Sequence, residues 1–99
     1  MNQRHGNGKC TNPDGSVYEG NWEYNLKSGS GSIHYKDGSR FEGLFVKGMR
    51  NGAGSLYLSN WDIIEARWAN DMMNGEGKLV KKNGKTIDCI FYNGAKVEL

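Results

Sequence analysis

Proline occurs once in 99 residues, cysteine twice and histidine twice. No window reaches the roughly 18 consecutive apolar residues of a membrane-spanning helix. Each shortage excludes something. One proline does not suit a Pro-rich disordered linker. Cys10 and Cys89 lie far apart in sequence and His5 and His34 occupy unrelated positions, which leaves little from which to build a metal site. The opening MNQRHGNGKC lacks the apolar core of a signal peptide, and there is no Asn-x-Ser/Thr sequon. These features predict a soluble, intracellular (cytoplasmic, organelle- or cytoskeleton-associated), non-secreted chain. Charge of one sign is also scarce. Thirteen basic against 11 acidic residues leave a formal +2, too balanced to point to nucleic acid as a partner. With 36% hydrophobic residues, a chain of this length makes one modest domain.

Glycine is abundant instead, at 15 residues. Sliding the chain over itself by 23 residues aligns Gly6, Gly29, Gly52 and Gly75 in one column and Gly8, Gly31, Gly54 and Gly77 in another. The same shift aligns Trp22, Phe45, Trp68 and Phe91; then Tyr18, Phe41, Ile64 and Ile87; then Glu19, Glu42, Glu65 and Asp88. The chain is a tandem array, with a partial unit at 1–17, full units at 18–40, 41–63 and 64–86, and a partial unit at 87–99.

Within a unit the period is two. Tyr18, Gly20 and Trp22 point one way and Glu19, Asn21 and Glu23 the other. A second strand follows in GSGSIHY, where Gly29, Gly31, Ile33 and Tyr35 are expected to share a face. Asp37-Gly38 is expected to supply the positive φ angles of a tight turn. Units are joined by a second tight connection near Asn25 to Ser28. Each unit is therefore a β-hairpin, and the expected fold is an all-β, single-layer twisted antiparallel sheet, a solenoid of stacked hairpins. A glycine within a strand leaves bare backbone that a neighbouring aromatic ring can cover, which recovers apolar burial in a thin sheet.

YEGNW followed by GSGSIHYKDGSRFEGLF resembles the MORN repeat (membrane occupation and recognition nexus), with a 23-residue unit running Tyr-x-Gly-x-Trp, a turn, Gly-x-Gly and an Asp-Gly turn. The resemblance covers nearly the whole chain. It implies an elongated twisted sheet with an aromatic-lined groove, no catalytic chemistry, and an adaptor role: binding helices or extended segments of other protein chains, self-association and, for some members, contact with phospholipid.

The departures from that pattern are informative. The column of Gly20 and Gly43 becomes Ala66 and Cys89, and that of Tyr18 and Phe41 becomes isoleucine, so ring-over-backbone contacts should loosen toward the C-terminus. Trp61 stands where Gly15, Gly38 and Gly84 stand, so its turn is expected to differ in type. Its ring is either an exposed anchor for a partner or folded back over the adjacent hairpin. The chain begins and ends within units, and its sheet edges are expected to pair with another chain, as a homodimer or within a larger assembly.

Chemistry is sparse. Both cysteines are expected to be free, about 30 Å apart at 4.8 Å per strand. Asn83-Gly84-Lys85-Thr86 contains Gly-Lys-Thr, but Leu79 stands where a phosphate loop needs glycine. The carboxylate column repeats roughly every 10 Å, too wide for an acid/base pair, and reads as a solvated or salt-bridged ladder. No enzyme activity, cofactor or metal is expected. The primary reading is a protein-interaction scaffold, a small structural subunit whose groove is formed by Tyr18, Trp22, Ile33, Tyr35, Phe41, Phe45, Trp61 and Trp68. The alternative is weak attachment to an anionic membrane through Lys78, Lys81, Lys82 and Lys85, with Arg4, Lys27, Arg50 and Lys96 in another basic column. That reading is held back because the lysine patch lacks an adjacent apolar anchor in the sequence.

Overall fold

The computed structural model describes residues 6–97. Arg4 and His5 fall outside them. Among the described residues, nine strands form one antiparallel sheet in which every strand pairs with its sequence neighbours. They are β1 (Gly6–Thr11), β2 (Val17–Glu23), β3 (Leu26–His34), β4 (Arg40–Val46), β5 (Met49–Tyr57), β6 (Ile63–Ala69), β7 (Met72–Val80), β8 (Thr86–Tyr92) and β9 (Ala95–Lys96). The described chain measures 50 × 23 × 20 Å.

Two kinds of turn alternate, and each follows from its residues. Along one margin the strands are joined by the two-residue turns Tyr24-Asn25, Lys47-Gly48, Asn70-Asp71 and Asn93-Gly94, in which both residues have positive φ. This left-handed turn matches the right-handed strand twist, and Asn, Asp and Gly tolerate it best. The N–H of the second turn residue also donates to the preceding unit: Gly48 to Lys27 O (2.9 Å), Asp71 to Arg50 O (3.0 Å) and Gly94 to Met73 O (2.8 Å). Each unit is thereby bonded to its neighbour outside the strand ladder.

Along the opposite margin the loops are longer. Tyr35 N–H donates to Ser39 O (2.9 Å) and Gly38 N–H to Tyr35 O (3.1 Å), and only Gly38, at φ 95°, is left-handed. Asp37 therefore does not supply positive φ as expected. Its carboxylate instead accepts from Ser39 N–H (2.8 Å) and Ser39 Oγ (2.6 Å), closing the loop from its side chain. The loop at Trp61 was expected to differ in type, and it does not. Leu58 N–H to Asp62 O (2.8 Å) and Trp61 N–H to Leu58 O (3.1 Å) reproduce the same pattern, with Trp61 held at φ 76°.

The register also corrects the face assigned to Gly29. Between Gly20 and Trp22 the pairing slips, so that 28–30 oppose Asn21 alone, and the slip recurs at Gly43/Phe45 and Ala66/Trp68. Gly29 sits in this bulge at φ 66°. A side chain built there would meet Asn21, on the face away from Tyr18 and Trp22. The second glycine of each pair behaves as expected. Gly8, Gly20, Gly31, Gly43, Gly54, Ala66, Gly77 and Cys89 are successive cross-strand partners, a row of small residues crossing eight strands.

Candidate interaction surfaces

The inner face carries the aromatic columns, and their rings pack on one another. Tyr18 meets Trp22 and Phe45 edge-on at centroid distances of 5.0 and 5.2 Å; Phe41 meets Phe45 and Trp68 at 5.5 and 5.0 Å. Tyr18 and Phe41 are 0% exposed, and Trp22, Phe45 and Trp68 are also buried. Tyr18 lies over Gly31 and Phe41 over Gly54, leaving no room for a Cβ at either glycine. The Tyr18 hydroxyl donates to Asn21 O (2.7 Å), and burial raises its pKa above the usual phenol value. A second, smaller cluster of Ala66, Cys89 and Phe91, with Ile64, Met73, Leu79 and Ile87 against it, continues the core beyond Trp68. Both thiols are free, with Cys89 buried.

Within the expected aromatic groove the rings pack on one another, and a recess of about 230 Å³ bordered by Ile33, Tyr35, Phe45 and Arg50 stays open beside them. Tyr18, Trp22, Phe41, Phe45 and Trp68 fill their own cleft, and Ile33 and Tyr35 pack half-buried against them. Arg50 closes the cleft from above. Its Nε lies 2.6 Å from Asp71 Oδ1 and its guanidinium stacks 4.3 Å from the Trp68 ring centroid, while Nη1 donates to the Tyr35 hydroxyl at 3.3 Å. Tyr35 belongs to the long-loop margin and Arg50 to the short-turn margin, so the two margins meet over the rings. Sequence reasoning placed Arg50 only in a basic column. Its position one repeat after Lys27, which itself lies 5.5 Å over the Tyr18 ring, was the available signal.

The more extensive open surface is the outer face. A trough of about 850 Å³ runs over β1 to β5, floored by the backbone of Gly8, Gly20, Gly31 and Gly43. One wall carries Lys9, Glu19, Ser32 and Glu42; the other carries Asn7, Ser30, Leu44 and Ala53. A second hollow of about 800 Å³ continues over β6 to β9, with Glu65, Lys78 and Asp88 on the charged side and Arg67, Glu76 and Ile90 on the other. Toward the short-turn margin stand Leu26, Leu44, Val46, Met49, Met72, Ile90 and Tyr92, all exposed. Leu26, Met49 and Met72 are one 23-residue column, so this apolar strip repeats about every 10 Å. The column was present in the sequence but was masked by the stronger aromatic ones.

The long-loop margin carries Trp61 and the lysines of the last long loop. Trp61 is 75% exposed, with its ring beside a recess of about 290 Å³. The lysine group is divided. Lys78 lies on the outer face, paired in register with Glu65 and Asp88, whereas Lys81, Lys82 and Lys85 belong to the last long loop. Asp62, buried beside Trp61, binds that loop: Lys81 Nζ lies 3.1 Å from Oδ2 and Lys82 N–H donates to Oδ1 at 2.9 Å. An apolar ring therefore does stand next to the basic loop, a juxtaposition invisible in the linear sequence, while Lys81 is already engaged.

Two expected results arise here. A tryptophan at φ 76° is strained by about 1–2 kcal/mol relative to glycine, so Trp61→Gly should raise Tm by a few degrees in calorimetry. A fall in Tm would mean that the ring packs more than its exposure suggests. The bonds from Lys82 N–H and Lys81 hold the Asp62 carboxyl below its ordinary value of 3.8, and the Ser16 and Ser39 bonds do the same for Asp14 and Asp37. A carboxyl depressed in the folded state stabilises above its unfolded pKa and loses that contribution as pH falls through the folded value. Stability should therefore be flat above about pH 5 and decline below about pH 4. Asp62→Asn should lower stability near neutral pH and flatten the acid limb of a urea-denaturation series. An unchanged acid limb would remove Asp62 from the account.

No curated protein matches the chain. The family model described as MORN repeat matches residues 1–17, 18–40, 41–63 and 65–86, coinciding with the 23-residue hairpin units except for one residue at the start of the fourth. With four consecutive matches over most of its length, the chain belongs to the MORN repeat family.

Proposed function

We propose that this chain is a non-catalytic protein-interaction scaffold, a small structural subunit that holds partner segments along the trough of its outer face. Repeats of this family generally engage proteins or membrane lipids and are generally non-catalytic. The observation that carries the reading is the division of the two faces. The five rings of the aromatic face are buried against one another, whereas the outer face keeps an apolar strip of Leu26, Val46, Met49 and Met72 exposed beside the larger, open trough. Apolar rows of this extent on a folded domain are a feature of binding surfaces. Glu19 and Glu42 border the same trough and Glu65 and Asp88 its continuation, in step with the strip, in a row that Lys9 and Lys78 share and in which Glu42 is ion-paired with Arg40. A segment with apolar residues about every 10 Å and basic residues on one flank suits both rows.

The test compares chains retained from native extract by the wild type and by a Val46→Glu/Met49→Glu variant of equal Tm. The reading expects specific retained chains to be lost with the variant and restored by Val46→Ile/Met49→Leu. Identical retention by all three forms contradicts it.

A further inference from the structure

A second surface lies away from the trough, on the long-loop margin, and it departs from the repeat pattern at one residue. In three long loops the left-handed position is glycine, Gly15, Gly38 and Gly84; in the fourth it is Trp61. The loop keeps the geometry of the others despite the bulky residue, so the tryptophan is tolerated at a cost in strain and yet remains 75% exposed. Loops of this design gain nothing for their own folding from a ring that packs on so little.

Beside the ring is a concavity rather than a flat surface. The recess of about 290 Å³ is lined by Trp61, Tyr57, Leu58, Ile63, His34 and Arg40, with Gly38, Ser59 and Asp62 completing it. The volume suits one large side chain, and its walls are apolar on the Trp61 and Ile63 side. Arg40 forms the polar wall. Its guanidinium stacks 4.2 Å from the Tyr57 ring centroid, which fixes its plane, and its side chain is 38% exposed. Its Nε lies 3.2 Å from Glu42 Oε1 in an ion pair but is not aligned for a hydrogen bond, so among the described residues this buried donor lacks an acceptor.

Basic residues outnumber acidic ones on the long loops beside the recess. Arg40 and His34 stand in its wall, and the neighbouring loop that Asp62 binds adds Lys82 and Lys85, which make no ion pair among the described residues. Glu42 is ion-paired with Arg40 and Asp62 with Lys81, so those charges cancel in pairs, and Asp37 stays an anion held by Ser39. The Asp62 bonds also fix the Trp61 loop to the lysine loop, so ring and cations are presented together.

We infer that the Trp61 recess is a binding site for an acidic protein segment that inserts one large apolar side chain between Trp61 and Tyr57 and sets its carboxylates against Arg40 and the neighbouring lysines. The recess favours a protein over a lipid surface, because a bilayer presses on exposed groups and has no single side chain to fill a concavity. This surface is separate from the trough, so failure at either leaves the other standing.

The experiment titrates the full chain with short fluorescent peptides of alternating Glu and Ser around one central Phe, read by anisotropy and by the Trp61 indole N–H resonance. Controls replace Phe with Ala, or Glu with Lys. Binding of the acidic Phe peptide is expected to saturate, to shift the Trp61 resonance, and to weaken about 30-fold in Trp61→Gly, the size of a hot-spot truncation. Arg40→Gln should weaken it too and reduce its salt dependence. Trp61→Gly keeps the glycine of its column, so an unchanged or raised Tm separates lost binding from lost folding. Equal binding of the Phe and Ala peptides, equal binding by Trp61→Gly, or no saturable binding at all would overturn the proposal. So would Trp61-dependent binding to phosphatidylserine vesicles without any to the peptides, which would reassign the site to membranes.

Discussion

Replacing Phe41 with alanine should cost about 3–5 kcal/mol, a large share of the roughly 5–15 kcal/mol that a domain of this size has. Phe41 is, with Tyr18, one of the two fully buried rings. It is 0% exposed, meets Phe45 and Trp68 edge-on, and covers the Gly54 backbone. A single-layer sheet has no second layer to collapse into the cavity, so relaxation is limited to the neighbouring rings. Calorimetry and urea denaturation should agree on the loss. The nearby Phe41→Leu, which retains part of the volume, should cost distinctly less. A Phe41→Ala protein within about 1 kcal/mol of wild type would mean that the ring column contributes little to stability.

The second large effect comes from adding atoms. A Cβ built at Gly54 lies 2.6 Å from both Cε1 and Cζ of Phe41 and 3.2 Å from Trp68 Nε1. Backbone strain is not the issue at this glycine, since it is not among the residues with positive φ. Gly54→Ala should therefore destabilise by about 3 kcal/mol, a Tm loss of roughly 12 °C or more, through overpacking alone. The same change at Gly84, where nothing lies within 4 Å, meets only the penalty of φ 91° and should cost about 1 kcal/mol. Combining Gly54→Ala with Phe41→Leu should cost less than the sum of the two single changes, because the smaller side chain vacates the space the new methyl needs. Strict additivity would show that the two residues do not share that contact.

The repeat, the hairpins and the inward columns were legible because each depends on neighbours in sequence or on period-two alternation. Tyr18, Phe41, Trp22 and Trp68 could be placed on one face from spacing alone. What spacing could not give was curvature. Whether those rings line an open groove or fill a closed one depends on the accumulated twist that brings Tyr35 of one margin to Arg50 of the other, and alternation contains no information about it. The face of Gly29 was misread because a bulge resets the alternation, and only its positive φ betrays it. Trp61 was misread for a different reason. The cost of a left-handed tryptophan argued for another turn type, but the loop's two backbone bonds outweigh about 1–2 kcal/mol of strain. Asp62 stands in the column of Ser16 and Ser39, where it was unremarked; its longer reach to Lys81 and Lys82 joins two units that the sequence kept 19 residues apart.

The central claim is that the five rings of the aromatic face are buried against one another and that the exposed groups lie on the outer face and the Trp61 margin, where partner contact is proposed. Hydroxyl-radical footprinting of the native chain, resolved residue by residue by mass spectrometry, tests it most directly. The account predicts rapid oxidation of Trp61, Tyr92, Met49 and Met72, with Tyr18, Trp22, Phe41 and Trp68 protected until the protein unfolds. Oxidation of Trp22 and Trp68 at rates comparable to Trp61 would contradict it, and would make the aromatic face an open groove after all.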